Sequence, residues 1–220
     1  MGTVLVTGAN RGIGLELCRQ LKARGEEVIA ACRKPSQELQ NLGVEVKEGV
    51  DVTDDASVQS LSQWLGDRKI DVLINNAGIL NRDLLDDEGL FDSVRWQFEV
   101  NSVGPLRVTK ALKNNIPSGG KVAIVTSRMG SIEDNTSGRY YGYRMSKAAV
   151  NMAAMSLSHD LKPEGVSVAL LHPGMVATDM TGHNGISTQE SAKGLLDRID
   201  HTNLDNTCTF WHQNGQRLPW

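Results

Sequence analysis

Tyr143 and Lys147 stand four residues apart in Tyr143-Arg144-Met145-Ser146-Lys147, so a helix would carry both on one face. A phenol beside an ammonium suits an oxygen that gains or loses negative charge. Free phenol ionises at about pH 10, too high for ready proton exchange at neutrality. A neighbouring cation favours phenolate and draws that value down. Tyr140 and Tyr141 have no lysine four residues on and read as loop or packing residues. A chance Tyr–Lys pair at this spacing arises in about one in seven shuffles of the sequence, so the pair needs independent support.

Support comes from the first turn. An apolar run ends in Thr7-Gly8-Ala9-Asn10-Arg11-Gly12-Ile13-Gly14, followed by a helical pattern. Strand, tight turn and helix N-terminus form the context that dinucleotide binding requires. Gly8 permits the turn, Gly12 lets a pyrophosphate approach bare backbone, and Gly14 lets the helix pack closely. Unpaired N–H groups at the helix start then face the phosphates, with Asn10 and Ile13 beside them. The second strand ends Ala31-Cys32-Arg33-Lys34 with no acid to hold a ribose 2′-hydroxyl. Arg33, with Arg11 facing it, would instead grip a 2′-phosphate, which points to NADPH.

The T-G-x-x-x-G-x-G spacing, Asn75-Asn76-Ala77-Gly78 and the Tyr143/Lys147 pair together resemble the short-chain dehydrogenase/reductase family. The resemblance implies a single-domain Rossmann fold and hydride transfer between nicotinamide and a carbonyl or alcohol. Tyr143 would be the general acid in reduction and the general base in the reverse reaction. Lys147 would also bond the nicotinamide ribose. A serine should polarise the carbonyl: Ser127 ends the Val125-Thr126-Ser127 run, with a longer gap to Tyr143 than the family usually shows. Ser131 is the alternative, and Ser127 is favoured for its place at a strand end. Asn101, in Asn101-Ser102-Val103-Gly104, would mark a helix kink whose water links Lys147 to solvent. Asp51 and Val52 would meet the adenine, with an N-terminal helix cap as the other role for Asp51. Asn76, Ala77 and Gly78 would flank the cofactor, with both Asn amides fully bonded. Pro173, Gly174, Val176 and Thr178, in P-G-x-x-x-T, would hold the nicotinamide carboxamide. His172 reads as structural.

Within the family, residues 129–138 and the ending Phe210-Trp211…Pro219-Trp220 resemble the C-factor and sniffer-type carbonyl reductases. That implies NADPH-dependent reduction of ketones, aldehydes and diones with broad selection; the alternative is a non-catalytic NADP-binding signalling protein. A short substrate loop, about residues 179–190, would leave the site open. The helical stretches 91–115 and 143–161 pair into dimer-forming bundles in resembling proteins, which implies a homodimer or a homotetramer. Trp220 would cover an apolar patch at that interface or beside the site.

The elements that must position these residues follow from periodicity. Residues 3–7, 28–32, 44–50, 70–75, 121–127 and 166–172 read as strands, several as continuous apolar runs typical of a parallel sheet covered on both faces. Ile13, Leu17 and Leu21 recur at helical spacing before Gly25. Val58, Leu61 and Leu65 do so after Asp54 and Asp55, and Met145, Ala149, Met152 and Ser156 mark a long helix ending before Pro163. Such alternation predicts a doubly wound α/β sheet. Residues 83–89, 132–139 and 181–189 read as loops at the carboxyl ends of strands.

Composition bounds the rest. The chain's 220 residues suit one domain, 1–220, and a net charge of −3 argues against a nucleic-acid partner. No apolar run reaches the ~20 residues of a membrane span, and the N-terminus reads as carrying no export signal. Cys18, Cys32 and Cys208 are odd in number and scattered, as expected in a reducing cytoplasm. Histidines and cysteines lack ligand spacing, so no metal is expected.

Overall fold

A computed structural model describes residues 2–220. Its sheet has seven parallel strands in the order β3-β2-β1-β4-β5-β6-β7. These are β1 (Thr3–Thr7), β2 (Glu27–Ala31), β3 (Glu45–Lys47), β4 (Val72–Asn75), β5 (Lys121–Val125), β6 (Ser167–His172) and β7 (Phe210–His212). The helices are α1 (Gly12–Ala23), α2 (Gln37–Asn41), α3 (Asp55–Leu65), α4 (Leu90–Phe98), α5 (Gly104–Leu112), α6 (Tyr141–Leu161) and α7 (Thr188–His201). This is the single-domain doubly wound Rossmann architecture that the alternation predicts.

Strand alternation divides the core into two layers. Leu5, Ile29, Leu73, Val122, Ile124, Val168 and Leu170 face one way, against Val58, Leu61, Leu65, Val108, Leu112 and Val150 of α3, α5 and α6. Val4, Val6, Val28, Ile74, Ala123, Ala169 and Leu171 face the other, against Leu17, Leu21, Leu39, Leu195 and Ile199 of α1, α2 and α7. The small alanines let α1 and α7 sit close to the sheet, which brings the start of α1 over the strand ends.

β7 and the outer face of α6 depart from the sequence reading, and the kink expected at Asn101 takes the form of a π turn. β7 follows a polar stretch and has only three residues, too short for its period to register; it is specified by pairing Leu170–His172 with Phe210–His212. The Met145/Met152 stripe lies on the outside of α6, both residues being exposed, while Tyr143, Ser146, Lys147, Val150 and Ala154 face inward. Between α4 and α5 the chain forms a π turn, Glu99–Val103, with Asn101 at its centre. An asparagine followed by a glycine suits such a bulge better than a continuous helix.

Among the described residues no helix is long and apolar enough to cross a membrane. Among them too, no group of three or more His, Cys, Asp and Glu is placed to hold a metal ion.

Candidate active site

β1 pairs with β2 on one side and β4 on the other, so the chain reverses its winding there and opens a crevice at the strand ends. The crevice is a cleft of about 800 Å³. Gly8, Gly12, Gly14 and Thr178 line the end at the glycine turn, and Tyr143 and Lys147 line the cleft beyond them.

The glycine turn is built tightly. A Cβ on Gly14 would stand 2.3 Å from the Gly8 carbonyl oxygen. Gly8 and Gly12 have left-handed φ of 66° and 54°. Thr7 Oγ1 accepts from the N–H groups of Asn76 (3.1 Å) and Ala77 (3.2 Å), and Asn76 Nδ2 donates to Thr7 O (3.0 Å) and Gly8 O (3.3 Å). The β4 element thus clamps the turn. Sequence reasoning gave Thr7 no such role, because a threonine ending a strand carries no signal until its partners are known. Asn75 Nδ2 donates to Thr109 Oγ1 at 3.1 Å, but its Oδ1 has no partner among the described residues, against the expectation of full bonding.

The start of α1 has neither a capping side chain nor an acid in its first turn. Its free N–H groups therefore suit an anion. A Cβ on Gly12 would meet only Thr178, at 3.4 Å, so at Gly12 the loop offers bare backbone to the cleft. Arg33 is exposed at the lip. Arg11 is not free to face it: its guanidinium pairs with Asp179 at 2.8 Å, joining the glycine turn to the loop after β6. Asp51 Oδ1 accepts from Thr53 N (2.9 Å) and Oγ1 (2.7 Å). Burial pushes that carboxyl up, but the two Thr53 bonds, Arg33 and Arg107 outweigh it and hold it below its ordinary value. The cap of α3 is Asp54, which accepts from Ala56 N, and not Asp51. These features fit a phosphorylated dinucleotide lying along the cleft.

At the other end Tyr143 is buried, and Ser127, also buried and two residues beyond β5, accepts from Met129 N at 3.1 Å through its Oγ. Burial raises the phenol's pKa, and the Ser127 hydroxyl offsets part of that rise. Lys147 Nζ lies 5.7 Å from the Tyr143 ring centroid and donates to Val125 O at 3.1 Å. Burial brings its pKa down to about 8. In net, desolvation of Tyr143 outweighs the lowering that the residue types suggested. Ser131 Oγ turns away and donates to Trp220 O at 3.0 Å. The Trp220 ring rests on Phe210, centroids 5.9 Å apart, so the Trp220 carbonyl secures the loop beside the site.

Asn101 Nδ2 donates to Ile79 O (2.9 Å) and Ser146 Oγ (3.0 Å), and its Oδ1 accepts from Ile79 N (2.8 Å). The side chain ties the strand β4 loop to α6 one residue before Lys147. Pro173 lines the cleft, and Gly174 has a left-handed φ of 84°. Thr178 N donates to Thr181 Oγ1, which also bonds Val176 O, so the start of the substrate loop is knotted locally. His172 packs edge-on against His212 at 4.9 Å; burial and neighbouring positive groups take its pKa down to about 3. The three thiols are free and buried, with Cys18 raised to about 12 by burial and by Cys32.

The short chain dehydrogenase family model matches residues 2–188. The chain is 45% identical over 229 residues to 1-hydroxy-2-glutathionyl-2-methyl-3-butene dehydrogenase of Rhodococcus sp. (strain AD45), with 100% of each chain covered. It is 46% identical over 155 residues to C-signal of Myxococcus xanthus, covering 69% of this chain and 93% of that protein. A carbonyl reductase from Pseudomonas aeruginosa PAO1, solved in complex with NADP, is 34% identical and superposes with a TM-score of 0.88 over 100% of both chains. The glycine turn, its clamp and the buried Tyr–Lys pair sit on a sheet that such proteins share throughout their length: this chain belongs to the short-chain dehydrogenase family.

Proposed function

We propose that the protein reduces ketones, aldehydes and diones to alcohols with NADPH as reductant, with broad selection. The observation that carries this reading is the buried Tyr143 and Lys147 lining the cleft that begins at the glycine turn, with Ser127 buried beside Tyr143. The dinucleotide, when bound, supplies the hydride. Gly8, Asn10, Gly12, Ile13 and Gly14 would hold its pyrophosphate, Arg33 its 2′-phosphate, with Arg11 kept at the rim by Asp179, and Asp51 and Val52 its adenine. Asn76, Ala77, Gly78, Pro173, Gly174, Val176 and Thr178 line its nicotinamide half. Ser127 donates to the carbonyl oxygen and steadies the growing negative charge. Tyr143 gives up its proton to that oxygen. The phenol is protonated at neutral pH and so has a proton to give, and burial holds it in that form until charge develops on the substrate oxygen. Lys147 faces the ring of Tyr143 and stabilises the phenolate left behind. Asn101 holds α6 against the β4 loop, which sets the height of Lys147.

The Rhodococcus relative's name describes an alcohol carrying a glutathionyl group. S-substituted glutathione carbonyl compounds therefore belong in the test panel with simple ketones and diones. The C-signal likeness favours a second reading, an NADP-binding signalling protein without turnover; the complete Ser–Tyr–Lys cluster supports catalysis against it. The test is NADPH and NADH consumption across the panel, with cofactor binding measured separately. Turnover with NADPH is expected, and tight NADP⁺ binding with no turnover on any carbonyl would favour the signalling reading.

Phe91, Trp96, Met145 and Met152 are exposed on the packed pair α4 and α6. That supports assembly through this face, as a homodimer or a homotetramer built from it; a monomer in light scattering at micromolar concentration would contradict it. Free, buried thiols suit a cytoplasmic location.

A further inference from the structure

Asp83 takes no part in the chemistry above, yet it is one of the most buried carboxyl groups in the chain, 3% exposed. It lies in the loop after β4. Its Oδ2 accepts from Gln97 Nε2 (2.8 Å), Ser93 Oγ (3.1 Å) and Gly142 N (3.1 Å), and its Oδ1 from Gly142 N (3.2 Å). Its main-chain oxygen accepts from Tyr140 N at 3.0 Å. Gln97 is fully buried, and its Oε1 accepts from Asn81 N at 2.9 Å, which fixes the amide end that faces Asp83.

These bonds converge on the start of the helix that bears Tyr143. Arg139 and Tyr140 are consecutive residues with left-handed φ of 57° and 53°, a conformation that side chains of this size rarely adopt. Such geometry persists only where its surroundings impose it. Tyr140 caps α6 without a side-chain bond, so the Gly142 N–H has no partner within the helix. Asp83 supplies one, and its negative charge suits a helix N-terminus. Position 142 must be glycine for contact reasons: a Cβ would stand 2.5 Å from Gln97 Nε2 and 2.8 Å from Asp83 Oδ2.

We infer that Asp83 is a positioning residue for the reaction proposed above, on which this inference rests. It anchors the first turn of α6 so that the Tyr143 phenol, one residue past the anchor, meets Ser127 and the substrate oxygen in a fixed geometry. Gln97 and Ser93 hold the carboxylate in place.

The test uses Asp83→Asn, which removes the negative charge facing the start of α6 and replaces one of the two oxygens around Gly142 N with an amide donor. The double variant Asp83→Asn/Gln97→Glu returns one carboxylate to the cluster, with the new amide able to donate to it. Losing a charge-assisted bond predicts a kcat about 10–100-fold lower in the single variant, with NADPH affinity unchanged to within about twofold. Amide exchange at Gly142 should speed up at least about tenfold. The double variant should return kcat to within about threefold of wild type. A single variant with kcat within about threefold of wild type, or with unchanged exchange at Gly142, would overturn the inference. So would a double variant that restores exchange without restoring kcat. If Asp83→Asn does not fold, Ser93→Ala removes one donor and leaves the carboxylate in place. A kcat about threefold lower at constant NADPH affinity is then expected, and an unchanged kcat overturns the inference. A wild type inert toward every carbonyl would instead defeat the reductase reading, while the exchange rates still decide the anchor.

Discussion

Gly12 and Gly14 stand two residues apart in the same turn, but the structure assigns them separable demands. A Cβ on Gly14 would lie 2.3 Å from Gly8 O, 2.5 Å from Asn76 Nδ2 and 2.9 Å from Gly8 C. Two of the three contacts are backbone, so α1 must withdraw by about an ångström. Overpacking of this kind costs about 1–3 kcal/mol. Displacing the Asn76 amide from Thr7 O and Gly8 O adds about 1 kcal/mol for each bond. Gly14→Ala should therefore lose about 3–5 kcal/mol, or about 6–20 °C in Tm for a chain of this length. A Cβ on Gly12 meets only Thr178 Cγ2 at 3.4 Å, and the remaining cost is the φ of 54°. That is about 1–2 kcal/mol for alanine. The added methyl nevertheless enters the cleft where bare backbone is offered. Calorimetry with and without NADP⁺ separates the two demands. Ligand at about 100 times Kd adds about 2.7 kcal/mol to wild-type stability. Gly12→Ala should lower Tm by only about 2–8 °C and lose the ligand-induced rise. Gly14→Ala should start far lower. A Gly14→Ala protein within about 2 °C of wild type, or a Gly12→Ala protein with the full NADP⁺ response, would refute the steric argument.

Arg33→Asp should raise KM for NADPH by about 10–100-fold and KM for NADH by less than about threefold; equal changes in steady-state assays would remove Arg33 from 2′-phosphate recognition. Ser127→Ala should lower kcat by about 100-fold, whereas Ser131→Ala, whose hydroxyl serves Trp220, should stay within about threefold; the reverse order would move the carbonyl donor to Ser131. His172 ionises at about 3 in the fold against an ordinary value of 6.5, with Nδ1 unpartnered. The unfolded chain therefore binds the extra proton between those values, and stability is lost as pH falls from 6.5. Because His172 keeps some access to water, the loss down to about pH 4.5 is about 1–2 kcal/mol. Urea titrations of His172→Gln should show a flatter decline over that range, and parallel declines would contradict the assignment.

The doubly wound sheet, the glycine turn and the Tyr–Lys pair were legible because each rests on local chemistry: continuous apolar runs alternating with helical periods, a turn needing left-handed backbone, a four-residue helical spacing. β7 was not legible, since Phe210–His212 owes its strand to pairing with β6 and not to its own pattern. The inward face of α6 was hidden for a related reason. Its methionines are apolar, but the buried face carries Ser146, Lys147 and Asn151, which no hydrophobic period reveals. The engagement of Arg11 with Asp179 and the burial of Asp83 were equally hidden, because both depend on loops distant in sequence meeting in space. The ionisation of Tyr143 turns on burial: residue types pointed to a lowered value, and desolvation raises it.

Proton delivery from Tyr143 is the step on which the proposed reaction depends, and Tyr143→Phe tests it most directly, since the ring stays and only the hydroxyl goes. With NADPH affinity unchanged, kcat toward an activated dione should fall by about 10²–10⁴-fold. A Tyr143→Phe protein that turns over at the wild-type rate while binding NADPH normally would contradict it.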